Sequence, residues 1–331
     1  MDKDYVDDFI NHTGALFGET RNHPSTLLQR DNSSRRPVAI IDNGELTEIN
    51  ISSTYIKKLL YKGEERPDIC PSNIYFLDVK QEYKFEPTVS MLYGLYAETK
   101  LLGKSAYGMV MDLKRDSRTG RKTADHLRID DMIDRIKLVF NRTKMIVTPS
   151  NTQIEKRISW QDPETDRTWP GIKIYLNIIT DIISPYEDEK YSVFFDKPIC
   201  IDFKLAKDRH ECFINRYMPW VSFSWGCPEK MDHLQAILYS YVLDLPFMYL
   251  VGDYNPKNAE PGYKPIPIKT VSSMPDDIES RTRLRELFQS IRWTINKTVE
   301  MNEQGWPAIQ GETCKKCPVI SCNYKYNTKP I

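Results

Sequence analysis

The run Pro198-Ile199-Cys200-Ile201-Asp202-Phe203-Lys204-Leu205 decides how this chain is read. It is apolar except for Asp202 and Lys204. Its β-branched and aromatic residues favour a strand, and a strand turns successive side chains to opposite faces. Asp202 and Lys204 therefore share a face. Two charges in an apolar strand are costly to bury unless they pair or hold a metal. The spacing alone is common here, recurring at Asp78-Val79-Lys80, Glu82-Tyr83-Lys84, Glu98-Thr99-Lys100, Asp112-Leu113-Lys114 and Asp188-Glu189-Lys190. Most of those read as solvated surface pairs. The apolar context sets Asp202 apart.

Working outward, Ile178-Ile179-Thr180-Asp181-Ile182-Ile183 places another carboxylate in an apolar strand, beside Asp202 if the strands are neighbours. Downstream, Gln235 and Tyr239 are four residues apart in a helical stretch and share one face. Upstream, Gly94-Leu95-Tyr96-Ala97-Glu98 sets a carboxylate on a helix near a glycine that permits close approach. Singly, each has a plainer account: Glu98 as an exposed helix charge, Asp181 as a strand end, Tyr239 as core. The ordered set is far more specific than any member.

Apolar periodicity predicts helices over residues 52–61, 88–102, 124–140, 232–243 and 275–302. Strands are expected at 153–158, 172–180, 192–195 and 199–205, forming a small meander sheet, with a further strand at 247–251 after the helix at 232–243. Residues 256–267 read as a proline-rich connector, and residues 1–50 as a weakly defined N-terminal arm. The remainder, 51–331, reads as one α/β core with appended ends.

Those ends carry cysteines. Cys70 stands before Pro71, and Cys314-Lys315-Lys316-Cys317-Pro318-Val319-Ile320-Ser321-Cys322 packs three more at the far end. A CxxC with a third Cys nearby wants a fourth thiolate to complete a Zn or Fe–S site, and Cys70 is the natural candidate. Cys200, Cys212 and Cys227 read as small buried hydrophobes. The odd total of seven and the polar start Met1-Asp2-Lys3-Asp4-Tyr5 argue against a disulfide framework and a signal peptide. No apolar stretch approaches the ~20 residues of a membrane span. A soluble, cytoplasmic protein with no membrane partner is expected. Lys and Arg total 46 and Asp and Glu total 46, so no global basic field marks a protein that coats nucleic acid. Gly103-Lys104-Ser105 is not a P-loop, because the glycine required five residues earlier is Glu98.

The order Ser52-Ser53, Cys70-Pro71, Gly94 to Glu98, Asp181, Asp202-Phe203-Lys204, Gln235 to Tyr239, then Cys314 to Cys322 resembles the RecB/AddB-type iron–sulfur nucleases of the PD-(D/E)XK superfamily. That group includes exonucleases of CRISPR adaptation modules and of phages. The resemblance implies a restriction-endonuclease-like α/β core, a small mixed central sheet flanked by helices, with helical ends joined by a four-cysteine metal cluster. It implies one nuclease domain over 51–331 and a catalytic set of Glu98, Asp181, Asp202, Lys204, Gln235 and Tyr239. Glu98, Asp181, Asp202 and the Phe203 carbonyl would hold Mg²⁺ or Mn²⁺, and Lys204 would orient water or offset developing charge. Gln235 and Tyr239 would position phosphate or a nearby nucleotide, and Lys207 and Arg209 would supply further phosphate contacts. Cys70, Cys314, Cys317 and Cys322 would hold a [4Fe–4S] cluster, with Zn²⁺ as the alternative. The implied substrate is single-stranded DNA, cut from its ends, beside a helicase or recombination partner, in the host cytoplasm if the chain is phage-encoded. The competing class is a non-catalytic DNA-binding or assembly module on the same scaffold.

Overall fold

The computed structural model describes residues 28–29, 36–83, 87–105, 108–216, 222, 224–255, 257, 262–272, 277–309, 314, 317–319 and 322. In chain order its main elements are β1 (Ala39–Asp42), β2 (Glu45–Ile51), α1 (Ser53–Leu59), α2 (Val89–Leu102), α3 (Ala124–Arg142), β3 (Thr152–Ser159), β4 (Lys173–Ser184), β5 (Ile199–Ala206), α4 (Leu234–Leu243), β6 (Phe247–Asp253), β7 (Gly262–Ile268) and α5 (Ile278–Glu303). The strands form one sheet in the order β7-β6-β5-β4-β2-β1, with β3 also paired to β4. It is mixed: β5 runs parallel to β6 and β2 parallel to β4, while the other pairs are antiparallel.

Helix starts are local. Ser52, Thr88, Thr123 and Asp277 each accept a backbone N–H three residues on, satisfying a donor that the first turn leaves free. Alternation in the strands then supplies two apolar faces. Leu176, Ile178, Cys200, Phe247 and Tyr249 pack with α1, α4 and α5. Ile182, Ile199, Ile201, Met248 and Leu250 pack with α2 and α3. A Cβ at Gly252 would meet Met132 Sδ at 2.6 Å, so a bare backbone lets α3 lie close on β6. Across the other face, the buried Tyr55 hydroxyl and Thr298 Oγ1 are 2.7 Å apart and tie α1 to α5.

The expected α/β class, a mixed central sheet flanked by helices, is what the chain adopts. Three finer expectations are corrected. β3, β4 and β5 are consecutive antiparallel neighbours, as the expected meander has them. The strand expected at 192–195, however, is the short Val193–Phe194, which pairs with Glu187–Asp188 off the central sheet. α4 then carries the chain to β6, parallel to β5. The boundary at residue 50 cuts the sheet, since the β1–β2 hairpin belongs to it. The rest of the proposed arm, apart from Leu28–Gln29, lies outside the described residues up to 35. The proline-rich connector contains β7, an edge strand. Pro265 and Pro267 lie two apart and share one edge, so their missing N–H donors fall on the outer side. Among the described residues no helix is long and apolar enough to cross a membrane.

Candidate active site

β4 is twelve residues long and is shared between neighbours. β3 runs along one edge, from Tyr175 to Ile182. On the other edge, β2 pairs with Lys173–Leu176 and β5 pairs only with Ile182–Ser184. Residues 177–181 therefore face a gap between β2 and β5. The β4–β5 ladder ends at Ile182–Ile201, and the next residues outward are Asp181 and Asp202. Phe203 N–H finds no carbonyl on β4 at this point. It donates instead to Asp181 Oδ2 at 2.7 Å.

Around Asp181 a small network closes. Gln153, opposite it on β3, donates through Nε2 to Asp181 Oδ1 at 2.9 Å and to Glu98 Oε1 at 2.8 Å. Ser105 Oγ donates to Glu98 Oε2 at 2.8 Å. Gly103-Lys104-Ser105, excluded as a phosphate loop, has this local use. Gly103 ends α2 with φ +76°, and the turn brings Ser105 back to Glu98. Asp202 and Lys204 share the opposite wall. Gln235, in the first turn of α4, donates Nε2 to Asp202 Oδ1 at 2.8 Å, and Lys204 Nζ forms an ion pair with Asp202 Oδ2. Asp202 is buried, whereas 34% of the Lys204 side chain is exposed.

The charges do not balance. Burial, with the neighbouring charges of Glu98 and Asp202, pushes the Asp181 carboxyl well above its ordinary range. Burial also raises Glu98, against the opposing hydrogen bonds from Asp181, Ser105 and Gln153 and the charge of Lys204. Burial disfavours the Lys204 ammonium, but Asp202 and Asp181 outweigh it and raise its pKa. Lys57 of α1 feels Asp202, Lys204 and Asp232, and burial lowers its pKa. It lines a cavity of about 180 Å³ with Tyr61, Arg66, Ser222, Ser224, Lys230 and Asp232. Sequence reasoning passed over Gln153, Ser105 and Lys57, because nothing in their types or spacing marks them.

Three carboxylates beside one lysine leave negative charge that a hard cation would offset, and oxygen donors are what such a cation takes. Among the described residues, no three His, Cys, Asp or Glu side chains form a ready-made metal cage. Glu98 and Asp181 face each other through Gln153, while Asp202 is turned toward Lys204 and Gln235. That donor set suits Mg²⁺ or Mn²⁺, since Mg²⁺ commonly takes one or two carboxylates and keeps its waters.

Of the six expected site residues, Glu98, Asp181, Asp202, Lys204 and Gln235 are brought together. Tyr239 is buried one turn beyond Gln235. It packs edge-on against Phe247 and lines a shallow groove with Asn177, Ile178 and Ile179. Gly94 provides no close approach, as a Cβ there would meet nothing within 4 Å. Arg209, expected to face phosphate, is committed to the buried Asp253, with Nη1 2.6 Å from Oδ2. Lys207 is exposed.

The segment around Cys70 meets the one that follows α5. Cys70 caps the short helix Pro71–Ile74, whose Ser72 N–H donates to the Pro307 carbonyl at 3.2 Å. Asn73 Nδ2 donates to Cys317 Sγ at 3.1 Å, and Tyr75 stacks on Trp306 with ring centroids 5.6 Å apart. Cys314 is buried, and Cys70, Cys317 and Cys322 are half-buried. No three of these four cysteines, all among the described residues, form a ready-made metal cage.

The raised carboxyls give the site a signed pH dependence in metal-free protein. A folded carboxyl that holds its proton above its unfolded value costs stability as pH rises from about 4, where the unfolded chain already ionises. The melting temperature of Asp181→Asn minus that of the unsubstituted chain, measured in EDTA, should grow more positive from pH 5 to pH 8. A difference that is constant or falls over that range contradicts the electrostatic account.

No protein-family model matches this chain, and no curated protein matches it. Among solved structures it is similar to one described as "Putative exonuclease" from Eubacterium rectale, at 13% identity, over 85% of this chain and 89% of that chain, with a TM-score of 0.48. Nothing at the site is carried over from that likeness.

Proposed function

We propose that the chain is a divalent-metal-dependent deoxyribonuclease of the RecB/AddB type. It would act as an exonuclease on single-stranded DNA ends, in recombination, repair or phage DNA processing. The observation that carries this reading is the gathering of Glu98, Asp181, Asp202 and Lys204 where β5 parts from β4. Asp181 and Asp202, with Glu98 and, as the resemblance implies, the Phe203 carbonyl, would hold Mg²⁺ or Mn²⁺. Bound there, the ion would supply Lewis acidity toward water and the scissile phosphate.

The protein's own groups account for the rest. Lys204, tethered to Asp202 yet partly open to solvent, offers its ammonium to charge that develops on the phosphate. Gln235 fixes the Asp202 carboxylate through Oδ1. Lys57 and Lys230, which line the neighbouring cavity, would meet the backbone of an incoming strand. A zero net charge fits this arrangement, because acidic site residues offset a local basic wall. At the joined ends, Cys70, Cys314, Cys317 and Cys322 would hold a [4Fe–4S] cluster that staples the C-terminal segment to Pro71–Ile74. Zn²⁺ is the alternative occupant. A helicase or recombination protein is the proposed partner.

Full-length protein with Mg²⁺ or Mn²⁺ should shorten end-labelled single-stranded oligonucleotides, and EDTA should stop it. Asp202→Ala and Lys204→Ala, folded by circular dichroism, should each slow cleavage by at least ~100-fold. Cleavage unchanged in both variants removes this site; DNA retained but never cut favours the binding-module reading. Separately, anaerobically purified protein should be brown and contain iron and acid-labile sulfide in equal amounts, both reduced in Cys317→Ser. Stoichiometric zinc without iron would replace the cluster with a zinc site, and neither metal would remove the staple.

A further inference from the structure

Gln153 lies within β3, yet its φ is +49°. All other described non-glycine residues with positive φ fall outside the strands of the central sheet. The register holds on either side, with Thr152 opposite Ile182 and Ile154 opposite Thr180. Gln153 itself stands opposite Asp181 and makes no ladder pair there. A left-handed residue inside a strand is strained, and such strain persists where the surrounding structure has a use for it.

What this conformation provides is aim. The Gln153 amide reaches Glu98 on α2 and Asp181 on β4 at the same time. The other oxygen of each is met by Ser105 Oγ, which donates to Glu98 Oε2, and by Phe203 N–H, which donates to Asp181 Oδ2. The two carboxyl groups also hydrogen-bond to each other, so both are fixed in rotation and held side by side. We infer that Gln153 is a positioning residue, held in a left-handed strand conformation so that its amide presents Glu98 and Asp181 jointly to one divalent cation. This inference rests on the cation reading proposed above. It assigns Gln153 a role that neither its type nor its sequence neighbours announce.

If Gln153 served only the backbone, glycine would serve it better, because glycine adopts positive φ without strain. The test uses full-length protein and direct Mn²⁺ titration, read by the electron paramagnetic resonance signal of free Mn²⁺. Asp181→Asn is the control for uptake at this site. Gln153→Gly and Gln153→Ala should weaken Mn²⁺ binding by about 10- to 100-fold. Metal-free Gln153→Gly should remain folded, with a cooperative melt and the circular dichroism spectrum of the unsubstituted chain, which separates positioning from folding. Gln153→Asn, which keeps an amide and tolerates positive φ, should bind more tightly than Gln153→Ala. Unchanged affinity in Gln153→Gly and Gln153→Ala, with uptake sensitive to Asp181→Asn, overturns this inference alone. Absence of any Asp181-dependent uptake in the unsubstituted chain overturns the cation reading and this inference with it.

Discussion

Strand β5 leaves β4 after the Ile201–Ile182 pair, and the candidate site exists because of that parting. Had the ladder run on, Phe203 N–H would have been consumed by β4, and Asp181 and Asp202 would have been crowded cross-strand neighbours of like charge. Instead the strands diverge, and a side-chain carboxylate takes the place of a backbone carbonyl. β6 keeps β5 extended through the opening, pairing with it from Cys200 to Ala206. The sheet therefore opens on one edge of β5 while the other stays closed. Helices α2 and α4 then deliver Glu98 and Gln235 to the opening from opposite faces.

Such an opening stores electrostatic strain. Buried acids whose protonated forms are favoured are a poor way to stabilise a fold, and replacing them with apolar groups of similar shape would commonly be neutral or better. Gln153 adds backbone strain on the order of 1 kcal/mol. The two costs fall on adjacent residues across one strand pair. They become intelligible together when the site is built to receive positive charge. The Arg209–Asp253 pair, by contrast, matches one charge with one and fastens the end of β6 to the loop after β5.

Much of this was legible in the sequence, for identifiable reasons. β5 announced itself by alternation, with Asp202 and Lys204 conspicuous on an apolar strand. The helices announced themselves by periodicity and by caps such as Ser52. β1 and β2 were lost because Asp42-Asn43-Gly44 reads as loop, although it is a hairpin turn between two short strands. β7 was hidden by Pro265 and Pro267, which an edge strand tolerates. Arg209 was misassigned because its partner lies 44 residues onward, beyond any local pattern. Gln153 was invisible for a deeper reason: a neutral amide carries no charge signature, and its conformation is imposed by β4 and α2.

The central claim is that the parted strands hold an ion. Crystals of the full-length protein soaked in Mn²⁺ and measured by anomalous diffraction test it most directly. The account predicts an anomalous peak in contact with both Asp181 and Asp202, with Glu98 alongside and Lys204 turned toward the same space. Anomalous density absent from that gap at saturating Mn²⁺, with the carboxylates remaining hydrogen-bonded as they are here, would contradict it.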